Sequence, residues 1–291
     1  MDNFFNTSKI SLVLEGGGMR GFYSAGVLDA FLEHNISFDY VIGVSAGAVT
    51  ALSYVSKQLY RNKEIMEKYS CDKRYKGRSN LLKNGSFFGT DFILDEIPNK
   101  LLPLDWETFQ YSNTRFLTGT FDCCTGETVW YEKDEYGEKL EAIKASCAFP
   151  FISKIMPYDG RKLLDGGLSQ NIPIEKSMED GNEFHVIVLT RNTGYVKKSK
   201  EARLSKVLYK KFPKVIEILE NRNDIYNQQL ELCEQLEREG KAIILRPTRT
   251  LDVNWLEKNK KKIINLYNDG ISDASNKIND IKSLFRQVQV N

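Results

Sequence analysis

The strongest constraint on this chain is an order of elements compressed into its first 56 residues. An aliphatic run from Ile10 to Leu14 breaks into Gly16-Gly17-Gly18. A helical pattern follows from Phe22 to Glu33, with Ala25, Leu28, Ala30, Phe31 and Leu32 on its buried side. A second apolar run, Phe38 to Val44, passes through Ser45 straight into another helical stretch, Ala46 to Ser56. Strand, glycine turn, helix, strand, sharp turn, helix is the beginning of a parallel α/β sheet.

Beyond this opening, Lys57 to about Leu104 is polar and then aromatic around Gly85-Ser86-Phe87-Phe88-Gly89, an excursion beside the sheet. Strand signals return at Arg115 to Phe121 and Glu127 to Tyr131, joined by a turn at Cys123-Cys124-Thr125-Gly126. A helix is expected over Lys139 to Ser146, and short strands over Arg161 to Leu164 and Phe184 to Leu189. Leu204 to Glu239 reads as helix interrupted near Pro213. Lys241 to Leu245 is a last strand, and the charged tail from Asn254 is helical.

Three segments carry chemistry. Gly43-Val44-Ser45-Ala46-Gly47 is a GxSxG at a strand-to-helix turn. Such a turn needs small residues beside the serine and holds its hydroxyl clear of the sheet. The plain alternative is a serine that caps the next helix. Gly16-Gly17-Gly18-Met19-Arg20-Gly21 lets the backbone aim several N–H groups at one point, which stabilises an anion. It also satisfies GxGxxG. A dinucleotide site, however, wants an acidic residue at the end of the second strand. Asp39 stands at that strand's start, and Val44 and Ser45 occupy its end. A glycine turn without chemistry is the third reading. Leu164-Asp165-Gly166-Gly167-Leu168 puts Asp165 at a strand's carboxyl end, the edge where α/β sheets bind ligands. An Asp-Gly pair is also an ordinary turn.

Serine hydrolases usually pair the nucleophile with histidine. The chain has two histidines. The order Ser45, Asp165, His185 would suit a triad, but His185 opens the run Val186-Ile187-Val188-Leu189, at the amino edge of a parallel strand. His34 lies at the end of the first helix. Both are read as structural, which leaves a carboxylate as the base.

At this point the residues match a known family. EGGGMRG, GVSAG and DGG, in that order, resemble the signature elements of the patatin-like phospholipases. Ala145-Ser146-Cys147-Ala148-Phe149-Pro150 and Asn171-x-Pro173 resemble two further segments of that family. The resemblance covers about residues 10 to 190. Residues 200 to 291 resemble, more loosely, the C-terminal extension of a bacterial branch. The resemblance implies a three-layer α/β/α fold with a mainly parallel central sheet. It implies a catalytic domain over residues 1–200 and a mostly helical extension over 201–291. It also implies a dyad without histidine: Ser45 as nucleophile and Asp165 as base. The oxyanion hole would come from the amides of Gly16, Gly17, Gly18 and Met19 with Arg20 beside it, and Gly43 and Gly47 would shape the elbow. Asp165 can serve as turn residue and base at once.

The expected substrate is a lipid carboxylic ester, with Phe87, Phe88, Phe92, Phe149 and Phe151 as candidate acyl-groove walls. The alternatives are a non-enzymatic lipid- or partner-binding module on the same fold, or a thioesterase. No cofactor is expected. Five cysteines without CxxC spacing give neither a metal site nor a disulfide framework, and read as reduced thiols of a cytoplasmic protein. With 41 Lys and Arg against 39 Asp and Glu there is no basic stripe for nucleic acid. The N-terminus has no signal-peptide pattern, and no apolar window approaches the roughly 18 residues of a membrane span. Lipid would be met from the water side, with Lys258 to Lys262 as a candidate peripheral contact with anionic headgroups.

Overall fold

The computed structural model describes residues 9–198, 202–249 and 252–290. Strand β1 (Ile10–Leu14) leads through the glycine loop into α1 (Gly21–Glu33), and β2 (Tyr40–Gly43) leads through Ser45 into α2 (Ala46–Val55). The excursion holds α3 (Arg61–Tyr69), α4 (Arg78–Asn84), a π-helical stretch (Phe92–Leu101) and α5 (Trp106–Tyr111). Next come β3 (Arg115–Asp122), β4 (Thr128–Glu132), α6 (Glu141–Ser146), β5 (Met156–Tyr158) and β6 (Arg161–Asp165). The chain continues through α7 (Ile174–Glu179), β7 (Phe184–Val188), α8 (Ala202–Leu208), α9 (Pro213–Arg238), β8 (Ala242–Leu245) and α10 (Lys260–Val290).

These strands form one sheet in the order β5-β6-β3-β2-β1-β7-β8, with β4 also on β3. Pairings from β3 through β2, β1 and β7 to β8 are parallel, and those of β4, β5 and β6 are antiparallel. Alternate residues feed two cores. Leu12 and Leu14 of β1 pack with α1, α2 and α10, while Val13 packs with Tyr226, Leu230 and Cys233 of α9. Helices therefore cover both faces, which makes three layers. Each fully buried aliphatic side chain stabilises by roughly 1.5–3 kcal/mol, so a strand that buries both faces is anchored twice.

The C-terminal segment is part of this arrangement. It supplies the last strand, β8, and α10 lies along α1. The two helices cross closely: a Cβ at Gly26 would sit 2.0 Å from the Tyr267 carbonyl oxygen, and one at Gly270 would sit 2.2 Å from that of Tyr23. Hydrogen bonds from the Tyr267 hydroxyl to Asp29 (2.7 Å) and from the Tyr23 hydroxyl to Asp273 (3.1 Å) tie the pair. Among the described residues, no helix is long and apolar enough to cross a membrane.

The helical stretch is interrupted near Pro213 as expected: α8 ends at Leu208, and Pro213 opens α9 at its first turn, where its missing N–H has no partner to lose. One expectation about elements needs correction. Asp165 does lie at a strand's end, but β6 runs against its neighbours. It comes back toward the carboxyl edge of the sheet from beyond it, so it reaches that edge by the opposite direction from β2.

Candidate active site

Strand β3 is the ruler that brings the two candidate catalytic groups together. Strand β4 occupies one edge of β3 from Leu117 to Phe121. The other edge is shared: Gly43 of β2 pairs with Thr118, and Asp165 of β6 pairs with Thr120. Two strands running toward each other along one edge leave their ends in contact. Ser45 and Asp165 accordingly line one cavity, where the serine hydroxyl lowers the carboxyl's pKa.

Ser45 has φ 54° and ψ −123°, a strained backbone for a residue with a side chain. Its neighbours explain why the turn tolerates nothing larger. A Cβ on Gly43 would lie 2.8 Å from the Gly47 carbonyl carbon, and one on Gly47 would lie 2.6 Å from the Leu14 carbonyl oxygen. The Ser45 amide donates to the Ser146 hydroxyl at 2.9 Å, which pins the elbow to the end of α6. Burial, with Asp165 nearby, pushes the thiol of Cys147, next along, well above the ordinary range.

Asp165 is 3% exposed. Its Oδ1 accepts the Gly167 amide at 2.7 Å. Burial raises its pKa from 3.8 to about 6, against the opposing pull of the Gly167 amide, the Ser45 hydroxyl, Arg222 and Lys197. A base near neutrality can take a proton at physiological pH far better than an ordinary aspartate.

The glycine loop is clamped from several sides. The Gly16 amide donates to the Asn171 carbonyl at 3.1 Å and the Met19 amide to the Trp255 carbonyl at 3.0 Å. The Asn171 side chain donates to Glu15 and to the Gly16 carbonyl, and Glu15 also accepts the Tyr226 hydroxyl and the Thr190 amide. The Gly17 and Gly18 amides have no acceptor among the described residues. Of the amides expected at an oxyanion hole, those of Gly16 and Met19 are thus already bonded to the scaffold. Gly18 takes φ +56°, and a Cβ there would lie 2.6 Å from the Trp255 carbonyl oxygen. Arg20 is 8% exposed, and its Nε and Nη1 lack partners. Burial, with Arg191 nearby, lowers its pKa to about 10.

A cavity of about 250 Å³ opens over these groups. Ile93, Leu94, Phe88 and Phe149 supply apolar lining. Of the five phenylalanines expected at a groove, Phe88 and Phe149 are therefore present. Phe92 and Phe87 are buried in the protein interior, and Phe151 packs on Tyr209. His185 is buried at the second position of β7, hydrogen-bonded to Ser11 at 2.8 Å, and burial lowers its pKa to about 4. His34 is exposed at the end of α1. Neither histidine lines the cavity. Trp255, Arg191 and Arg222 do line it, and none of them belongs to a recognisable motif.

A three-layer α/β/α protein with a serine on a strained strand–helix elbow, sharing a cavity with a buried carboxylate, is the class that fold and site define. The chain belongs to the patatin-like phospholipase family, whose model matches residues 12–177. A second model, a domain of unknown function (DUF6363), matches residues 212–286. The chain is 27% identical over 198 residues to the uncharacterized protein YjjU of Escherichia coli (strain K12), covering 64% of this chain and 53% of that one. It is 26% identical over 190 residues to the lysophospholipase NTE1 of Meyerozyma guilliermondii, covering 63% of this chain and 13% of the relative. With an uncharacterized NTE family protein of Mycobacterium tuberculosis (strain ATCC 25618 / H37Rv) it shares 25% identity over 169 residues, 58% of this chain and 45% of the other. The matches thus span about half the length of these relatives or less. VipD from Legionella pneumophila is similar in structure with a TM-score of 0.45 and 14% identity, over 93% of this chain and 66% of that one.

Proposed function

We propose that the chain is a serine acyl hydrolase of lipid carboxylic esters, working through a Ser45–Asp165 dyad. The observation that carries the reading is Ser45, on a strained elbow, lining one cavity with a carboxylate whose burial raises its pKa to about 6. Asp165 accepts the Ser45 proton as Oγ attacks the ester carbonyl. The Gly17 and Gly18 amides, with the N-terminus of α2, stabilise the oxyanion. Proton return from Asp165 releases the alcohol. Water, activated by the same carboxylate, then hydrolyses the acyl-enzyme. The apolar lining at Ile93, Leu94, Phe88 and Phe149 suits an acyl chain. Substrate would be met at a lipid surface from the water side.

The experiment is hydrolysis of p-nitrophenyl esters of increasing chain length by wild type and Ser45→Ala. Wild type should cleave them. The variant should lose about 10⁴- to 10⁶-fold in rate while keeping its circular dichroism and melting curve. A folded wild type inert on every ester and on lipid extracts would favour a lipid-binding module on the same fold. Retained activity in Ser45→Ala would remove the nucleophile.

A further inference from the structure

We propose that the C-terminal segment is a functional part of the site, and that its Trp255 forms a wall of the groove for the acyl chain. The inference rests on the reading of this cavity as a lipid hydrolase's and gives residues 212–286, matched by a domain of unknown function, a task. Trp255 and Tyr226, both inside that range, line the cavity with Ser45 and Asp165.

The indole is delivered by fixed backbone. Residues 253–257 form a tight turn against the glycine loop. The Glu257 amide donates to the Asn254 carbonyl at 3.1 Å, and the Asn254 side chain accepts the Leu256 amide at 2.9 Å. Both sides of the turn are anchored. Val253 is buried in the core that packs β1 against α1, and the buried Glu257 accepts the Lys258 and Asn259 amides, each at 2.9 Å, just before α10. At the tip the Trp255 carbonyl accepts the Met19 amide at 3.0 Å. A Cβ at Gly18 would lie 3.5 Å from the Trp255 Cβ. Tyr226 of α9 holds the start of the same loop through its hydrogen bond to Glu15 at 3.0 Å.

The ring stands among apolar groups. Val253 and Glu257 are each 8% exposed, whereas Trp255 between them is half-buried and lines the cavity. It meets Phe149, a neighbouring wall, at 5.4 Å between ring centroids. Met19, Phe22 and Tyr75 line the same cavity and are buried in one cluster, against which Phe88 and Ile93 pack. Ile263 and Tyr267 of α10 belong to that cluster, so the C-terminal segment supplies backing as well as wall. A methylene chain lying on such a surface exchanges water for apolar contact. An open indole face can also hold a quaternary ammonium. The continuity of Trp255 with Phe149, Met19 and their apolar neighbours favours the chain.

The first experiment pairs p-nitrophenyl acetate, whose acyl group ends one methyl beyond the carbonyl, with p-nitrophenyl decanoate. Trp255→Ala should lower kcat/KM for the decanoate roughly 10- to 100-fold, mainly through KM, and for the acetate by no more than about threefold. Trp255→Phe should recover most of the loss. Equal loss on both esters, or a loss confined to kcat, would make Trp255 a structural residue and overturn the proposal.

A binding arm needs no turnover. Bromine quenches an indole that it touches, and the other two tryptophans, Trp106 and Trp130, do not line the cavity. Wild-type emission should therefore fall lower with 9,10-dibromostearate than with stearate, and folded Trp255→Phe should lose that difference. Phosphocholine should leave the emission unchanged. If the quenching holds while no ester is cleaved, the wall stands and the hydrolase reading falls. If esters are cleaved and the brominated chain quenches no more than stearate, the hydrolase reading stands and the wall falls. A response to phosphocholine without quenching by the brominated chain would assign Trp255 to a head group and overturn the proposal.

Discussion

Asp165→Asn separates the two roles that a buried aspartate can have at this position. The substitution keeps size, keeps an Oδ1 to accept the Gly167 amide, and removes the charge. In the folded protein the carboxyl has a pKa of about 6 against an ordinary 3.8, with burial the leading cause. Between those two pH values the native state holds a proton that the unfolded chain has lost. Stability therefore falls as pH rises through that window, and above it the ionised carboxylate costs the fold ~3 kcal/mol, at 1.36 kcal/mol per unit. Asn carries no such cost. In urea at pH 8 the variant should be at least as stable as wild type and up to ~3 kcal/mol more so. Its kcat should nevertheless fall by about 10²- to 10⁴-fold, the loss expected of a missing general base. Wild-type kcat should decline on an acid limb that bends near pH 6, and the variant should lack that limb. An Asn variant that is less stable at pH 8, hydrolyses esters near the wild-type rate and keeps the limb would refute the reasoning. Asp165 would then be a turn residue only.

Two further outcomes probe the frame around the dyad. His185→Ala should lose about 1–3 kcal/mol of stability, because Ser11 and Ser177 lose a buried partner, yet keep kcat within a few-fold in an ester assay at 20 °C. A folded variant with a thousandfold deficit would restore a triad. Gly26→Ala should destabilise by more than ~3 kcal/mol, since the new methyl meets the Tyr267 carbonyl at 2.0 Å and α1 and α10 must part. An unchanged melting curve would contradict the close crossing.

What was legible in the sequence was local. The GxSxG elbow, the glycine loop and the order of the first two strand–helix units are written in neighbouring residues, because steric crowding at Gly43 and Gly47 acts over a few positions. The parallel centre of the sheet followed from the same runs. The rest depends on distant partners. Strand β5 is three residues with no alternation to mark it. The direction of β6 is set by its pairing with β3, not by its own composition. The loss of the Met19 amide to Trp255 joins residues 236 positions apart, and the packing of α10 on α1 depends on glycines that sequence periodicity treats as weak helix positions. Arg191 and Arg222 belong to no motif, and only β7 and α9 bring them to the cavity.

The central claim is that Ser45 is the nucleophile, and covalent labelling tests it most directly. The intact protein is incubated with a fluorophosphonate probe, digested and read by peptide mass spectrometry. One adduct is expected, on the peptide carrying Ser45. Labelling carried out at pH 4, where Asp165 is protonated, should be slower than at pH 8, and Ser45→Ala should carry none. An adduct on any other residue, or labelling of folded Ser45→Ala to the wild-type extent, would contradict the account.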